Sequence, residues 1–240
     1  MKVVFKHNSN LFVFTFGTSL NAKIAGNGEL IGQHFTFSRQ QFELAKGSPS
    51  MSDFFRADGT NCLDCPFSGN QSDKAGLCYT HKFGQFRGFL SSLRSIHRLH
   101  TWETIPQYSE DIHAKILTAA AGKYFRFGSY GEPSLIPVNL ISDITAVAKS
   151  FTGYSHQWEK FPDLAAYFMA STHNLQELEQ AEKLGFRSYM AGDFTLTELV
   201  NGLVNCPASA EAGKKSHCSK CGLCSGTTGK GNKSVYINLH

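Results

Sequence analysis

The seven cysteines are the residues of this chain best suited to chemistry, and their spacing divides them into two groups. Four stand late, as Cys206-Pro207 followed by Cys218-x2-Cys221-x2-Cys224. Two-residue gaps let successive thiolates turn toward one centre, and three in tandem with a remote Cys-Pro match the ligand pattern of a 4Fe-4S cluster. A tetrahedral zinc site uses the same short gaps, so iron-sulfur and zinc both stay open. Either centre would be structural, because four thiolates leave no coordination position free. The other three are Cys62-x2-Cys65 and, after a longer gap, Cys78. Three thiolates leave one position unfilled, and on a 4Fe-4S cluster the unliganded iron binds a small molecule directly. A zinc ion completed by His81 suits the same residues, and a single site drawing on both groups is a third arrangement.

Whether these are thiolates or half-cystines depends on compartment. The apolar run Leu11 to Phe16 is shorter than a secretory core and is interrupted by Thr15, so no export signal is evident. No stretch approaches the roughly eighteen apolar residues of a spanning helix. The expectation is a protein of the cytoplasm, without membrane association, whose cysteines are reduced. Their odd number also argues against complete intramolecular pairing. At 240 residues and 41% hydrophobic the chain can bury a substantial core. Its net charge of +4, from 23 basic and 19 acidic groups, does not demand a polyanionic partner.

The elements that must position the cysteines follow from periodicity. Residues 1–60 form a β-rich segment, with strands expected at Val3–Phe5, Leu11–Phe16 and His34–Phe37. Phe86, Phe89, Leu90, Leu93 and Ile96 recur at helical spacing, with Arg87, Arg94 and Arg98 mostly elsewhere on the wheel. From Asp111 the pattern alternates: helix to Ala121, strand Tyr124–Phe127, helix Leu140–Ala148, strands Thr152–His156 and Ala166–Ala170. Then come a helix capped by Asn174 and stopped at Gly185, strand Phe186–Met190, and helix Thr195–Val204. Short strands separated by such helices imply an α/β fold with a parallel sheet, open or partly closed as a (β/α) barrel, over residues 61–204. The tail, 205–240, is rich in Gly, Ser, Lys and Cys. A packed core cannot organise its middle alone; a bound metal can.

In parallel sheets, ligand sites gather at the carboxyl ends of the strands. Those ends carry Gly128-Ser129-Tyr130-Gly131-Glu132-Pro133, then Ser155-His156-Gln157-Trp158, then Ser171-Thr172-His173, then Gly192-Asp193. Taken singly each has an ordinary structural explanation: a turn or ion pair for Glu132, hydrogen-bonded structural roles for His156 and His173, packing for Tyr130 and Trp158. Together they describe one polar rim.

Three cysteines, a helix, and a strand ending in Tyr130-Gly131-Glu132-Pro133 resemble the radical S-adenosylmethionine superfamily. The resemblance implies a partial (β/α) barrel, Cys62, Cys65 and Cys78 as ligands of an open-site 4Fe-4S cluster, and Gly131, Glu132 and Pro133 as the turn that holds the amino group of S-adenosylmethionine. The chain departs from the superfamily in its cysteine spacing, x2 then x12 rather than x3 then x2, and in having Tyr130 at the first glycine of the turn. A resemblance covering most of the chain from Asn21 onward is to the uncharacterised bacteriophage family called gene product eighty-eight. It is carried by Cys65-Pro66, Cys78-Tyr79, Tyr154-Ser155-His156-Gln157-Trp158, Ala170-Ser171-Thr172 and the cysteine tail. It implies a phage or prophage origin and no established activity.

Two functions are therefore expected in alternative. One is a radical S-adenosylmethionine-like enzyme, with Glu132 on the cofactor and Ser155, His156, His173 and Asp193 lining the substrate side, the substrate being a small molecule, nucleotide or nucleic acid. The other is a zinc-stabilised nucleic-acid-binding protein of phage replication or host takeover. There Lys214, Lys215, Lys220, Lys230 and Lys233, together with Arg87, Arg94 and Arg98, would contact phosphates.

Overall fold

In this computed structural model the described residues are 1–19, 21–70, 78–192, 202–213, 216–229 and 231–238. Strands β1 (Lys2–His7) and β2 (Asn10–Thr18) form a hairpin whose two loop residues, Asn8 and Ser9, have φ of 46° and 64°. Such left-handed pairs match the twist of the flanking strands. Strand β3 (Leu30–Ser38) adds antiparallel to β2, and β4 (Tyr124–Tyr130) and β5 (Ser150–Thr152) add parallel beyond it. A second, all-parallel sheet runs β6 (Tyr154–Ser155), β7 (Met169–Thr172), β8 (Ser188–Gly192), β10 (Val235–Asn238), β9 (Val204–Asn205). The α/β class is as the sequence implies, with a mixed sheet and a parallel one. No helix among the described residues is long and apolar enough to cross a membrane.

The helices are α1 (Arg39–Leu44), α2 (Met51–Arg56), α3 (Gly59–Cys62), α4 (Phe83–His97), α5 (Glu110–Ala120), α6 (Val138–Val147), α7 (Leu175–Lys183) and α8 (Cys218–Cys221). Two of the longer ones, α5 and α7, start where the sequence offers caps: Ser109 accepts from the Ile112 amide, and Asn174 from the Glu177 amide. Ser38 forms a capping box with Gln41 at α1, a short helix that periodicity does not reveal.

Alternation along β4 sorts the core. Phe125 and Phe127 join Ile112, Ile116, Leu140, Ile141 and Ile144 under α5 and α6. Tyr124 lies in a separate cluster with Ile24, Ala25, Ile31 and Cys218, so it and Arg126 belong to the opposite face. Leu11, Val13, Phe37 and Tyr130 meet α4 there. Burial of this many aromatic and branched side chains, at about 1.5–3 kcal/mol each, is the main stabilising term.

Three sequence expectations are corrected here. The expected strand Thr152–His156 is two strands broken at Gly153, whose amide donates to the Cys224 carbonyl at 2.8 Å, outside either ladder. A Cβ on Gly153 would lie 2.8 Å from Phe168. The expected strand Ala166–Ala170 begins at Met169 instead, after a 3-10 turn Pro162–Ala166. Pro162 sets that turn, and buried residues throughout β7 leave no alternation from which to read the register. The strand expected at Phe186–Met190 lies two residues later, at Ser188–Gly192. Of the helix expected at Thr195–Val204, residues 195–201 lie outside the described residues, and Val204 is in β9.

A pH dependence follows from His34, fully buried in β3. Its Nδ1 accepts from the Gly128 amide at 3.3 Å, so Nε2 carries the proton and donates to Thr36 Oγ1 at 2.8 Å. Burial lowers its pKa from 6.5 to about 3. Between those values the unfolded chain binds a proton that the folded chain refuses. This contribution is therefore full above pH 6.5 and is lost as pH falls, by about 1.4 kcal/mol per unit. Urea unfolding should show wild type losing about 2 kcal/mol more than His34→Gln between pH 6.5 and 4.5; equal losses would show that His34 is not held neutral.

Candidate metal centres

Helix α3 ends at Cys62, whose amide donates to the Asp58 carbonyl at 2.8 Å, and Leu63, with φ of 54°, turns the chain toward Cys65. The fully buried Asp58 carboxylate closes the loop by accepting the Gly69 and Asn70 amides at 2.9 and 3.0 Å. Asn61 ties the loop to two strand ends: its amide side chain donates to the Thr36 carbonyl of β3 at 3.1 Å, and its carbonyl accepts the Glu132 amide, just past β4, at 2.7 Å. Asp64 reaches a third strand end, accepting from Gln157 and, at 2.6 Å, from Lys160. The first cysteine loop thus lies across the carboxyl ends of β3, β4 and β6.

Burial is the first cause raising the thiols of Cys62, Cys65 and Cys78. Cys62 is raised further by Asp58, Cys65, Cys78 and Glu132, and Cys65 by Cys78, Glu132 and Asp58. Three thiols and two carboxylates that repel one another when ionised make a charge environment suited to a cation, which would release the thiol protons on binding. His81 packs on Phe55 with ring centroids 4.0 Å apart and planes tilted by 32°, and its Nε2 lies 3.8 Å from Asp58 Oδ2.

The late cysteines gather against the second sheet. Cys206 packs with Met169, Ala208 and Val235. The amides of Cys218 and Ser219 donate to the carbonyls of Lys23 and Ile24 at 2.9 and 2.8 Å, and those of Gly226 and Thr227 to Tyr167 and Ala165. Arg187 donates to the carbonyls of Lys233, Ser225 and Gly226. Cys206, Cys218 and Cys224 are raised by burial first and by one another and Cys221, while Lys23, Arg126 and Arg187 act in the opposite direction. A centre bound by four thiolates carries net negative charge whether it is zinc or iron-sulfur, and these cations suit it.

All seven cysteines are free thiols. Among the described residues no group of three or more His, Cys, Asp or Glu side chains is close enough to hold a metal ion. The donor types in each group are those that a metal centre uses, and seating a metal would require the thiols of each group to draw closer.

The polar rim is assembled by the strand ends. Gly131, with φ of 78°, lets the chain turn under Thr36, and Glu132 caps the 3-10 turn Pro133–Leu135. Glu132 is buried; its carboxylate accepts the Ser134 and His156 amides at 3.1 and 3.0 Å. Burial raises its pKa, opposed by hydrogen bonds from Ser155, Ser134 and His156. It therefore clamps the end of β4 to the end of β6. Ser155 also accepts the Gln157 amide at 2.9 Å. His156 Nε2 meets Ser171 Oγ at 3.0 Å, and burial drops its pKa to about 3. The rings of His156 and His173 stack with centroids 5.5 Å apart, and Phe67 stands edge-on to His173 at 4.4 Å. His173 Nδ1 meets the Ala191 carbonyl at 3.1 Å, so it carries the proton and leaves Nε2 a buried acceptor with no hydrogen-bond partner among the described residues. A cleft of about 210 Å³ opens here, lined by Asp64, His156, Ser171 and His173 among others. Asp193 lies outside the described residues.

Sequence reasoning missed Asp58, Asp64 and Arg126. Arg126 left a readable trace, a charge between Phe125 and Phe127 in an otherwise aromatic strand. Of the proposed phosphate contacts, Arg94 is engaged by the carbonyls of Ala45 and Gly47 at 3.2 and 2.6 Å, and Lys214, Lys215 and Lys230 lie outside the described residues. Compared with models of known families, with curated proteins and with solved structures, the chain matches none.

Proposed function

We propose that the chain is a metalloenzyme of the radical S-adenosylmethionine type, with an open centre on Cys62, Cys65 and Cys78 and a closed structural centre on Cys206, Cys218, Cys221 and Cys224. The observation that carries this reading is the shared neighbourhood of three thiols and Glu132 at the carboxyl ends of parallel strands, tied by the Glu132 amide to the carbonyl next to Cys62. The parallel strands β3 to β8 would then be one partial barrel bent at Gly153. When bound, a 4Fe-4S centre with a free iron, itself reduced by an external one-electron donor, would supply the electron that breaks a carbon–sulfur bond of S-adenosylmethionine, releasing methionine and a carbon radical that takes a hydrogen atom from the substrate.

The chain's own residues set the stage for that chemistry. Cys62, Cys65 and Cys78 would hold the centre through three thiolates and leave one coordination position free. Gly131 and Pro133 shape a turn whose carboxylate, Glu132, is positioned for an ammonium group. Its hydrogen bonds from the Ser134 and His156 amides fix its orientation. The stacked pair His156 and His173 walls the cleft, with Phe67 edge-on to His173, and His173 Nε2 offers an acceptor for a substrate hydroxyl or amine. A phage setting, from the resemblance to the gene product eighty-eight family, makes a nucleotide-sized substrate in the host cytoplasm the natural candidate.

The test is purification without oxygen, followed by metal analysis and an absorption spectrum. The expected protein is brown, oxygen-sensitive, and carries about four iron and four sulfide per filled site. A colourless protein with stoichiometric zinc at both groups would overturn the reading.

A further inference from the structure

We infer that Arg126, with the hydroxyls of Tyr79 and Tyr154, forms an oxyanion-binding site on the strand face between the two cysteine groups, taking the carboxylate or phosphate of a small substrate. The site does not depend on which metal the cysteines hold.

The argument begins with strand alternation. Phe125 and Phe127 serve the helix-covered core, which places Arg126 with Tyr124 on the face toward the cysteine tail. A guanidinium there needs acceptors or a counter-charge. What it finds is neutral. Its Nη2 donates to the Tyr79 hydroxyl at 2.8 Å and lies 3.4 Å from the Tyr154 hydroxyl, and the Tyr79 ring sits 5.5 Å from Cζ. Among the described residues no carboxylate forms an ion pair with Arg126, and no acceptor meets its Nε or Nη1.

The surroundings are built to hold something. Tyr154 stacks on Tyr189 with centroids 4.6 Å apart and planes 10° from parallel, a rigid aromatic wall. Tyr79 donates to the Ser129 carbonyl at 3.3 Å, which fixes its ring on the other side. Tyr154 accepts from Arg126 and its hydroxyl also hydrogen-bonds that of Tyr79, so the donors left for a ligand are Nε and Nη1 of Arg126. The Arg126–Tyr79 hydrogen bond is exposed and Tyr79 is 44% accessible, so a dissolved anion can reach the guanidinium. A fork of N–H donors beside a phenol hydroxyl suits the paired oxygens of a carboxylate or phosphate. Two cysteines border the site: Tyr79 directly follows Cys78, and Cys218 packs beside Tyr124.

The competing explanation is that Arg126 only balances the charge of the late cysteines. Isothermal titration of the full chain with inorganic phosphate and with acetate, at constant ionic strength held by sodium chloride, separates the two. Wild type should bind at least one of these anions saturably, and the tighter one identifies the ligand as phosphate or carboxylate. Arg126→Lys should bind about tenfold more weakly, having lost the fork, and Arg126→Leu should not bind. Should Arg126→Leu fail to fold, Tyr154→Phe and Tyr79→Phe keep the ring shapes, and at least one should weaken binding several-fold. No saturable binding by wild type overturns the inference. So does binding unchanged in Arg126→Lys together with both phenylalanine variants. Loss of metal from the late cysteines in Arg126→Leu, without anion binding by wild type, would assign Arg126 to charge balance alone.

Discussion

Cys78→Ser should empty the first metal centre and leave the second full, and Cys218→Ser should do the reverse. The ground for expecting independence is electrostatic. Cys62 and Cys65 feel Cys78, Asp58 and Glu132, whereas Cys206, Cys218 and Cys224 feel one another, Cys221, Lys23, Arg126 and Arg187. Serine retains the shape of cysteine but offers a hard, neutral oxygen in place of a soft thiolate. A structural thiolate site is worth about 10–16 kcal/mol, so loss of one ligand costs occupancy outright. The second variant should also be less stable, because the late cysteines bring carbonyl and amide contacts to Lys23, Ile24 and Gly153. Metal content per chain, measured on each variant after anaerobic purification, decides the matter. If both variants lose all metal together, the two groups serve one shared site and the division proposed here is wrong.

Gly131→Ala should cost about 2–5 kcal/mol, the sum of a left-handed penalty of about 1–2 and an overpacking penalty of about 1–3. A Cβ there would lie 2.8 Å from Thr36 Cβ, 2.9 Å from the Thr36 carbonyl and 3.2 Å from the Asn61 carbonyl, with φ at 78°. Gly122 supplies the control, since its φ is 67° but nothing lies within 4 Å of a Cβ added there. Gly122→Ala should therefore cost only about 1–2 kcal/mol, from backbone conformation alone. Denaturant unfolding of the two variants measures the difference; equal costs would mean that the turn is not wedged against β3. The same Cβ would push Glu132 away from Asn61, beside Cys62, so Gly131→Ala should also lower metal occupancy of the first centre more than of the second.

Much of this architecture was readable from short stretches of chain. The helices α4, α5, α6 and α7 lie within two or three residues of the ranges expected from apolar spacing and caps, since both signals act within a turn or two. Helices α1, α2 and α3 were not legible, because each is only four to six residues long and is held by contacts rather than by periodicity. The rim was legible as a list of polar strand ends, but not the use to which Glu132 is put. That its oxygens accept the Ser134 and His156 amides depends on β6 lying beside the end of β4.

What the sequence by itself determined is the division of the cysteines into three and four, the α/β alternation after Asp111, and the polar character of the strand ends. Spacing, periodicity and capping are local, and so they survive without knowledge of the fold. Only the tertiary structure decided that the strand around Gly153 breaks to receive the Cys224 carbonyl, that Asn61 joins the first cysteine loop to Glu132, and that Arg126 faces Tyr79 and Tyr154. Each of those pairings joins residues far apart in the chain, and a buried amide or guanidinium takes whichever acceptor the packed sheets bring within reach.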